Sequence, residues 1–229
     1  MRPGVFYGVG VGPGDPELMT LKAVRVLERS PVITAPQTNG GGTLALDIAA
    51  QVDSMDGKII FPLYFTMERE ASGRQAAHDR AADEIAGYLE QGKDVAMPNL
   101  GDTSIYASCC YLMELLRQRG FETVMIAGVP SFCAAAARLG VSLTDMDAPL
   151  HIIPAGAVPL ESALALPGTK VLMKAGGHMP EVIFALRERD LLDKSAMVCG
   201  CGLPGEEVYP ALEHSPETAG YFSTIIVKE

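Results

Sequence analysis

A chain of 229 residues with 48% hydrophobic content is long enough for one large or two modest domains with a buried core. Its 28 Asp and Glu outnumber its 18 Lys and Arg, and the formal charge of -10 disfavours nucleic acid or an anionic membrane surface as a partner. Glycines and prolines keep every apolar stretch below the ~20 residues that a membrane helix needs. We therefore expect a soluble, cytoplasmic protein.

Strand and helix patterns alternate through the first half of the chain. Short runs of apolar and β-branched residues predict strands over residues 5–11, 31–36, 58–63, 94–100 and 123–127. Helical spacing of apolar residues predicts helices over residues 18–29, 44–52, 71–91 and 108–119. Strands that alternate with helices in this way are typical of a parallel sheet.

The pattern changes after residue 127, where prolines punctuate shorter elements. We predict a helix over residues 131–139, strands near 151–154 and over 169–173, a helix over 180–189, and strands over 196–201 and 220–227. The sequence thus predicts an α/β fold with two domains, residues 1–127 and 128–229.

The five cysteines are an odd number, and we expect no disulfides among them. Cys199-Gly200-Cys201 resembles half of a metal-binding knuckle. The sequence has no second knuckle and no histidine at a ligand-like spacing from the first. We therefore favour buried or loop thiols over metal ligands, and predict no metal site.

The segment from Gly8 to Asp15 reads Gly-Val-Gly-Val-Gly-Pro-Gly-Asp and follows the first predicted strand. Ligands of open parallel sheets bind at this end of a strand, where glycines let the backbone approach them closely. The dinucleotide fingerprint would need a third glycine at Pro13 or at Asp15, and a phosphate-loop Lys is absent. A glycine-rich turn without any ligand is the alternative.

A second polar segment, Asn-Leu-Gly-Asp-Thr-Ser-Ile-Tyr from Asn99 to Tyr106, follows the fourth predicted strand. It falls on the same sheet edge as the glycine segment, so the two loops can share one ligand. Asp102 has three possible roles: helix cap, general base, or partner of a hydroxyl or amine group. From the sequence around Asp102 alone, we expect this residue to be a helix cap.

Together the two segments resemble the hallmark motifs of the tetrapyrrole methylases, Gly-x-Gly-x-Gly-Pro-Gly-Asp and Gly-Asp-Pro-x-x-Tyr. The first is matched in full, whereas Thr103 stands where most members carry proline. A third segment, residues 128–140, is similar to the version found in precorrin-2 C(20)-methyltransferases, and further similarity extends through residues 170–174, 191–194 and 202–204. The resemblance implies the two-domain class III methyltransferase fold, with a parallel-sheet N-terminal domain and a mixed-sheet C-terminal domain.

The resemblance also implies a cleft between the domains that holds S-adenosylmethionine, with a tetrapyrrole above it. The positions that match the family's cofactor contacts are Pro13, Gly101, Asp102, Ile105, Ser131, Phe132, Met173 or Lys174, Gly202, Leu203 and Pro204. Plain core packing is the alternative for Met173, because a methionine in an apolar strand is most often filler.

Methyl transfer from a sulfonium is an in-line displacement, so we expect positioning to outweigh side-chain chemistry. Asp102 and Tyr106 are the two side chains that we consider for removing the proton from the methylated carbon. The many carboxylates of a tetrapyrrole require local positive charge, for which Arg69, Arg74 and Lys174 are candidates. Ordinary solvated surface is the alternative for each arginine.

Members of the family methylate several corrin carbons, a sirohaem precursor, a modified histidine on a translation factor, or ribosomal RNA. The third segment favours carbon 20 of precorrin-2 or cobalt-precorrin-2, in cobalamin biosynthesis, and leaves open whether the ring holds cobalt. A dinucleotide-dependent oxidoreductase and a sensor without turnover are the alternatives from other classes. The resemblance further implies a homodimer.

Overall fold

The computed structural model describes residues 2–37, 43–64 and 71–228, without the side chains of 71–74. The chain divides into two compact units, Met1–Pro130 and Ser131–Glu229. The division falls three residues after the boundary that we expected from the sequence, 130 against 127. Along the described ranges, no helix has both the length and the apolar character needed to cross a bilayer.

The first unit contains a five-stranded sheet in which all the strand pairs are parallel. Its strands are β1 (Val5–Gly10), β2 (Val32–Gln37), β3 (Ile59–Tyr64), β4 (Val95–Asn99) and β5 (Glu122–Ile126). The order across the sheet is β3-β2-β4-β1-β5, so β1 lies between β4 and β5. Helices cover a parallel sheet on its faces, which explains why β1 and β4 are runs of buried residues.

Four helices connect these strands: α1 (Leu21–Arg29), α2 (Leu44–Ala49), α3 (Ala71–Glu90) and α4 (Cys109–Gln118). A single apolar core joins the sheet to α3 and α4 and includes Phe6, Val95, Met97, Ile85, Leu89, Leu112 and Leu116. The sequence predicted the first helix from residue 18, but α1 begins at Leu21. The reason is Thr20, whose hydroxyl accepts the Ala23 N–H at 3.1 Å and caps the helix.

The second unit contains a five-stranded mixed sheet of order β6-β7-β10-β8-β9. Its elements in chain order are α5 (Ser131–Leu139), β6 (Leu150–Pro154), α6 (Leu160–Leu164), β7 (Thr169–Met173), α7 (Met179–Arg187), β8 (Ser195–Cys199), β9 (Glu207–Tyr209) and β10 (Ser223–Val227). β6 and β7 are parallel, whereas β10 is antiparallel to both of its neighbours. The predicted α/β fold with a parallel first sheet and a mixed second sheet is therefore confirmed.

Lys58, just before β3, fastens the end of α1 in the first unit. Its ammonium group donates to the carbonyls of Leu27 at 3.0 Å and Glu28 at 2.7 Å, and lies 3.5 Å from the Asp53 carboxylate. The carbonyls at a helix C-terminus have no partner inside the helix, and a cation there also favours the helix dipole. Both charged side chains are nearly buried, with 10% and 11% exposure.

Replacing Lys58 by Met should lower the free energy of unfolding by about 2 kcal/mol, because it leaves the carbonyls at the end of α1 and the nearly buried Asp53 carboxylate without their cation. Denaturant unfolding of the two proteins measures this difference. The matched control is Lys22→Met on the exposed side of α1, which should change stability by less than about 0.5 kcal/mol. Equal effects of the two substitutions would contradict this role of Lys58.

Candidate functional site

Three loops leave the same edge of the first sheet. Gly10 at the end of β1 pairs with Asn99 at the end of β4, and Val9 pairs with Ile126 at the end of β5. The segments that follow these strands, residues 11–15, 100–106 and 127–130, therefore start side by side. The carboxyl edge of a parallel sheet is where such folds bind their ligands.

Glycines hold these loops in direct backbone contact. Gly12 and Gly101 exchange two hydrogen bonds, with N···O distances of 3.2 Å and 2.7 Å. A Cβ atom on Gly10 would lie 2.6 Å from the Gly128 nitrogen, and one on Gly128 would lie 2.2 Å from the Gly101 oxygen. Any side chain at these positions would push the loops apart, so the spacing of the glycines in the sequence is a packing requirement.

Asp102 joins two of the three loops through its carboxylate. One oxygen accepts the Gly128 N–H at 2.7 Å, and the other accepts the Ser104 N–H at 2.8 Å and the Ser104 hydroxyl. Burial alone would raise the pKa of Asp102, but the hydrogen bonds from Ser104 and Gly128 outweigh burial, and the pKa lies below its ordinary value. Asp102 is therefore a carboxylate at neutral pH and a weak base.

The expectation that Asp102 caps a helix is wrong. The next helix, α4, begins at Cys109 with Ser108 as its cap residue, six residues after Asp102. Asp102 instead closes a turn over Ser104 and reaches across to Gly128, 26 positions further along the chain. The preference of aspartate for helix caps reflects local hydrogen bonding, whereas here a long-range partner determines its role.

Thr103 gives the same loop a second attachment. Its side chain is fully buried, its hydroxyl donates to the Ile126 carbonyl at 3.1 Å, and its own carbonyl accepts the Cys110 thiol at 3.1 Å. Ile126 is the last residue of β5, so consecutive residues Asp102 and Thr103 both fasten the loop to the β5 end. A hydroxyl thus immobilises the position at which the family motif has proline.

The remaining predicted residues of the first unit lie in these loops. Pro13 is buried, and Ile105 is half-buried. Tyr106 is 49% exposed and has a φ of 52°. A tyrosine in the left-handed region is uncommon, and such residues concentrate at functional sites.

In the second unit, β7 and β8 end on either side of the start of β10. Thr224 pairs with Met173 of β7 and with Val198 of β8. Ser131, the first residue of α5, places its hydroxyl oxygen 3.5 Å from that of Thr224. Ser131 and Met173 therefore lie at one edge of the second sheet, where Met173 is half-buried, and Phe132 next to Ser131 is buried.

The loops that follow β7 and β8 have unusual backbone conformations. Lys174 has a φ of 58°, and Gly200 and Gly202 have φ values of 60° and 75°. Of the three described non-glycine residues with positive φ, two are the predicted site residues Tyr106 and Lys174. Leu203 returns its N–H to the Gly200 carbonyl at 2.8 Å, which closes a turn that leaves Pro204 exposed.

Some predicted groups fall outside this description. Arg69 lies outside the described residues, as does the side chain of Arg74.

The cysteines are free thiols, and Cys199 places its sulfur 3.3 Å from the Ser223 hydroxyl. Among the described residues, no group of three His, Cys, Asp or Glu side chains is arranged to hold a metal ion.

Sequence reasoning did not single out several residues that shape the two sheet edges. Ser104 and Gly128 hold Asp102, Thr224 contacts Ser131, and Glu206 binds the Gly202 N–H at 2.8 Å. Gly128 had a signal, because it begins the third family segment. Thr224 had no local signal, because its partner Ser131 lies 93 positions earlier in the chain, whereas Ser104 and Glu206 bond residues only two and four positions away.

The family model described as Tetrapyrrole (Corrin/Porphyrin) Methylases matches residues 5–215. A probable cobalt-precorrin-2 C(20)-methyltransferase of Methanocaldococcus jannaschii is 33% identical over 80% of this chain and 77% of its own length. The cobalt-precorrin-2 C(20)-methyltransferase of Salmonella typhimurium is 29% identical over 99% of this chain and 97% of its own. The cobalamin biosynthesis protein CobIJ of Mycobacterium tuberculosis is 31% identical over 96% of this chain, which spans only 45% of CobIJ.

Solved structures share the fold along the whole chain. A cobalt precorrin-4 methyltransferase, CbiF, superposes with a TM-score of 0.78 at 19% identity, covering 98% of this chain and 94% of its own. A uroporphyrin-III C-methyltransferase from Thermus thermophilus, complexed with S-adenosylhomocysteine, has a TM-score of 0.72 at 20% identity and covers 99% and 98% of the two chains.

Because the glycine backbones are in contact, a single methyl group added at Gly128 should strongly lower the free energy of unfolding. Gly128→Ala should lower the free energy of unfolding by about 3 kcal/mol, because a Cβ there would overlap the Gly101 oxygen at 2.2 Å. Gly87→Ala, on the exposed face of α3 with no atom within 4 Å of the new Cβ, should instead raise it by about 0.5–1 kcal/mol. Thermal and denaturant unfolding compare the two variants, and effects of the same sign would contradict the packing argument.

Asp102→Asn should lower stability at neutral pH by roughly 1–2 kcal/mol, because the amide has one acceptor oxygen in place of two. The folded-state pKa of Asp102 is depressed, so its contribution is present above the unfolded-state pKa of about 3.9 and disappears as the pH falls through the folded-state value. Unfolding measured between about pH 3 and pH 7 should show the variant and the parent converging in acid. An equal difference at every pH would contradict this assignment.

Proposed function

The chain belongs to the tetrapyrrole (corrin/porphyrin) methylases, and from this premise we propose that it transfers a methyl group from S-adenosylmethionine to carbon 20 of precorrin-2 or cobalt-precorrin-2 in cobalamin biosynthesis. It is a methyltransferase by family. Two relatives that align along most of their length are named as a cobalt-precorrin-2 C(20)-methyltransferase and a probable one, which supports the substrate and the carbon. The dinucleotide-dependent oxidoreductase has no comparable support.

One structural observation carries the proposal. The two family motifs are joined at the carboxyl edge of the first sheet by the Gly12–Gly101 backbone pair and by the Asp102 carboxylate on Gly128. Ligands of open parallel sheets bind at such an edge. A simple glycine turn would not require the buried Thr103 hydroxyl and the Asp102 carboxylate, which attach the loop after β4 to the end of β5.

We infer that the methyl donor is held by the loop residues around Pro13, Gly101 and Ile105, and by Ser131, Met173 and the turn from Gly202 to Pro204. The chain fits such a ligand, because Met173 and Leu203 offer half-buried apolar surface beside the half-buried backbone of Gly202. S-adenosylmethionine supplies an electrophilic methyl on a sulfonium sulfur. The protein's task is to hold the donor and the ring carbon in line and to exclude water.

The transfer breaks the sulfur–methyl bond and forms a carbon–carbon bond, leaving S-adenosylhomocysteine and a proton on carbon 20 to be removed. Asp102 is poorly suited to accept this proton, because its pKa is lowered and both of its oxygens already accept hydrogen bonds. Tyr106, which is 49% exposed in the same loop, is the better candidate for orienting a proton-accepting water.

Anaerobic incubation with precorrin-2 and methyl-labelled S-adenosylmethionine should place a new methyl at carbon 20, located by carbon-13 NMR. Parallel reactions with cobalt-precorrin-2 determine whether the ring must hold cobalt. Uroporphyrinogen III serves as the control ring, on which we expect no transfer.

Isothermal titration with S-adenosylhomocysteine accompanies the assay, because it separates donor binding from turnover. Donor binding without transfer to either precorrin-2 form would overturn the carbon-20 assignment and support the sensor alternative or a later corrin intermediate. Transfer to uroporphyrinogen III would assign the sirohaem-precursor reaction instead. Homodimer formation stays a prediction from the family resemblance.

A further inference from the structure

Glu206 fastens the turn that follows β8. One of its carboxylate oxygens accepts the Gly202 N–H at 2.8 Å, and the other accepts the Nε proton of Arg138. The glutamate side chain is only 17% exposed, whereas Arg138 is 61% exposed. The Glu206 carboxylate thus connects the Gly202 backbone to an arginine of another element.

The turn needs such a constraint because its own sequence is permissive. Gly200, Gly202 and Gly205 have φ values of 60°, 75° and 83°, and glycine populates many other conformations when nothing restrains it. Two internal hydrogen bonds close the turn, from Leu203 N–H to the Gly200 carbonyl and from Glu206 N–H to the Leu203 carbonyl. The Glu206 side chain adds the bond that fixes Gly202 at its centre.

Arg138 connects this turn to α5. The arginine occupies the last turn of α5, and Ser131 and Phe132 occupy its first turn. α5 packs against β8 and β10, the strands whose ends carry the turn and Thr224. The ion pair therefore links two groups of predicted donor contacts, the Gly202–Pro204 turn and the start of α5, within one unit.

The charge of Glu206 is stabilised in place. The Gly202 N–H lowers the pKa of Glu206 most, burial opposes it, and Arg138 lowers it further, so the pKa lies below its ordinary value. Glu206 remains a carboxylate at neutral pH, the form in which it accepts both bonds.

We propose that Glu206 is a positioning residue for the methyl donor, which holds the Gly202–Pro204 turn in its binding conformation with Arg138 as its own orienting partner. This inference rests on the proposed function, since it assumes that the turn contacts S-adenosylmethionine. Glu206 itself need not touch the donor.

Titration calorimetry with S-adenosylhomocysteine tests the inference on the full chain. Glu206→Ala should weaken binding about tenfold, because a charged hydrogen bond to the turn is lost. Glu206→Gln should weaken it only about threefold, since the amide oxygen still accepts the Gly202 N–H, and Arg138→Gln should have a similar small effect. The double variant Glu206→Ala/Arg138→Gln should match Glu206→Ala, because both residues act through one turn.

The matched control is Asp83→Asn, which removes the carboxylate of another arginine ion pair, Asp83 with Arg119 at 2.7 Å in the first unit. It should leave the affinity unchanged. In the methylation assay, Glu206→Ala should raise the KM for S-adenosylmethionine about tenfold and leave kcat at saturating donor within about twofold. A merely structural role would reduce kcat through the folded fraction and leave KM unchanged.

Several outcomes overturn the inference. A folded Glu206→Ala protein that binds S-adenosylhomocysteine as tightly as the parent would do so. If that variant does not fold, unchanged affinity in both Glu206→Gln and Arg138→Gln would do the same. Failure of the parent to bind S-adenosylhomocysteine would reject the proposed function itself, and this inference with it, so the two failures are distinguishable.

Discussion

Contact between the backbones of Gly10, Gly101 and Gly128 is the constraint on which the first unit's loop cluster depends. A Cβ atom on Gly10 or Gly128 would lie only 2.2 to 2.8 Å from the nearest backbone atoms of the neighbouring loops, so only glycine fits at these positions. This proximity is what lets the Asp102 carboxylate reach the Gly128 N–H and the Thr103 hydroxyl reach β5. The three loops are therefore fixed by the sheet itself before any ligand binds, which reduces the cost of ordering them.

The second unit combines a glycine contact with other means of organising its sheet edge. A Cβ atom on Gly176, after β7, would lie 2.1 Å from the Gly220 oxygen before β10. Lys174 and Gly202 have positive φ, and the carboxylate of Glu206 reaches back to the turn after β8. The glycine-rich turn after β8 is held by the side chains of Glu206 and Arg138, whereas the loops after β1, β4 and β5 hold one another through contacts between their backbones.

Periodic elements were predictable because their pattern is local. The helix over Ser131–Leu139 and the strand over Thr169–Met173 have the bounds that the sequence indicates. Leu160–Leu164 and Glu207–Tyr209 were missed because five and three residues are too few to show a period. The last strand begins at Ser223, three residues later than predicted, since the apolar run does not reveal where the turn before it ends.

The site shows the same division between local and distant signals. Glycine spacing identified the loops, but the role of Asp102 depends on Gly128, and that of Glu206 depends on Arg138, 68 positions earlier in the chain. A sequence motif records which side chain must be present and not the atom that it contacts. The Gly-Asp motif therefore suggested that Asp102 is a helix cap or a base, whereas its hydrogen bonds connect two loops.

Because Asp102 is committed to Gly128 and Ser104, the polar groups of the first site serve geometry more than proton transfer. This is the arrangement that an in-line methyl transfer requires, since the sulfonium donor already carries the chemical driving force and the enzyme gains rate by alignment. Under the proposed function, a scaffold of this kind separates two tasks: the fastened loops hold the methyl donor, and the choice of ring carbon falls to residues outside them. Such a separation agrees with the solved structures that share this fold, which are methyltransferases named for different tetrapyrroles, cobalt precorrin-4 and uroporphyrin-III.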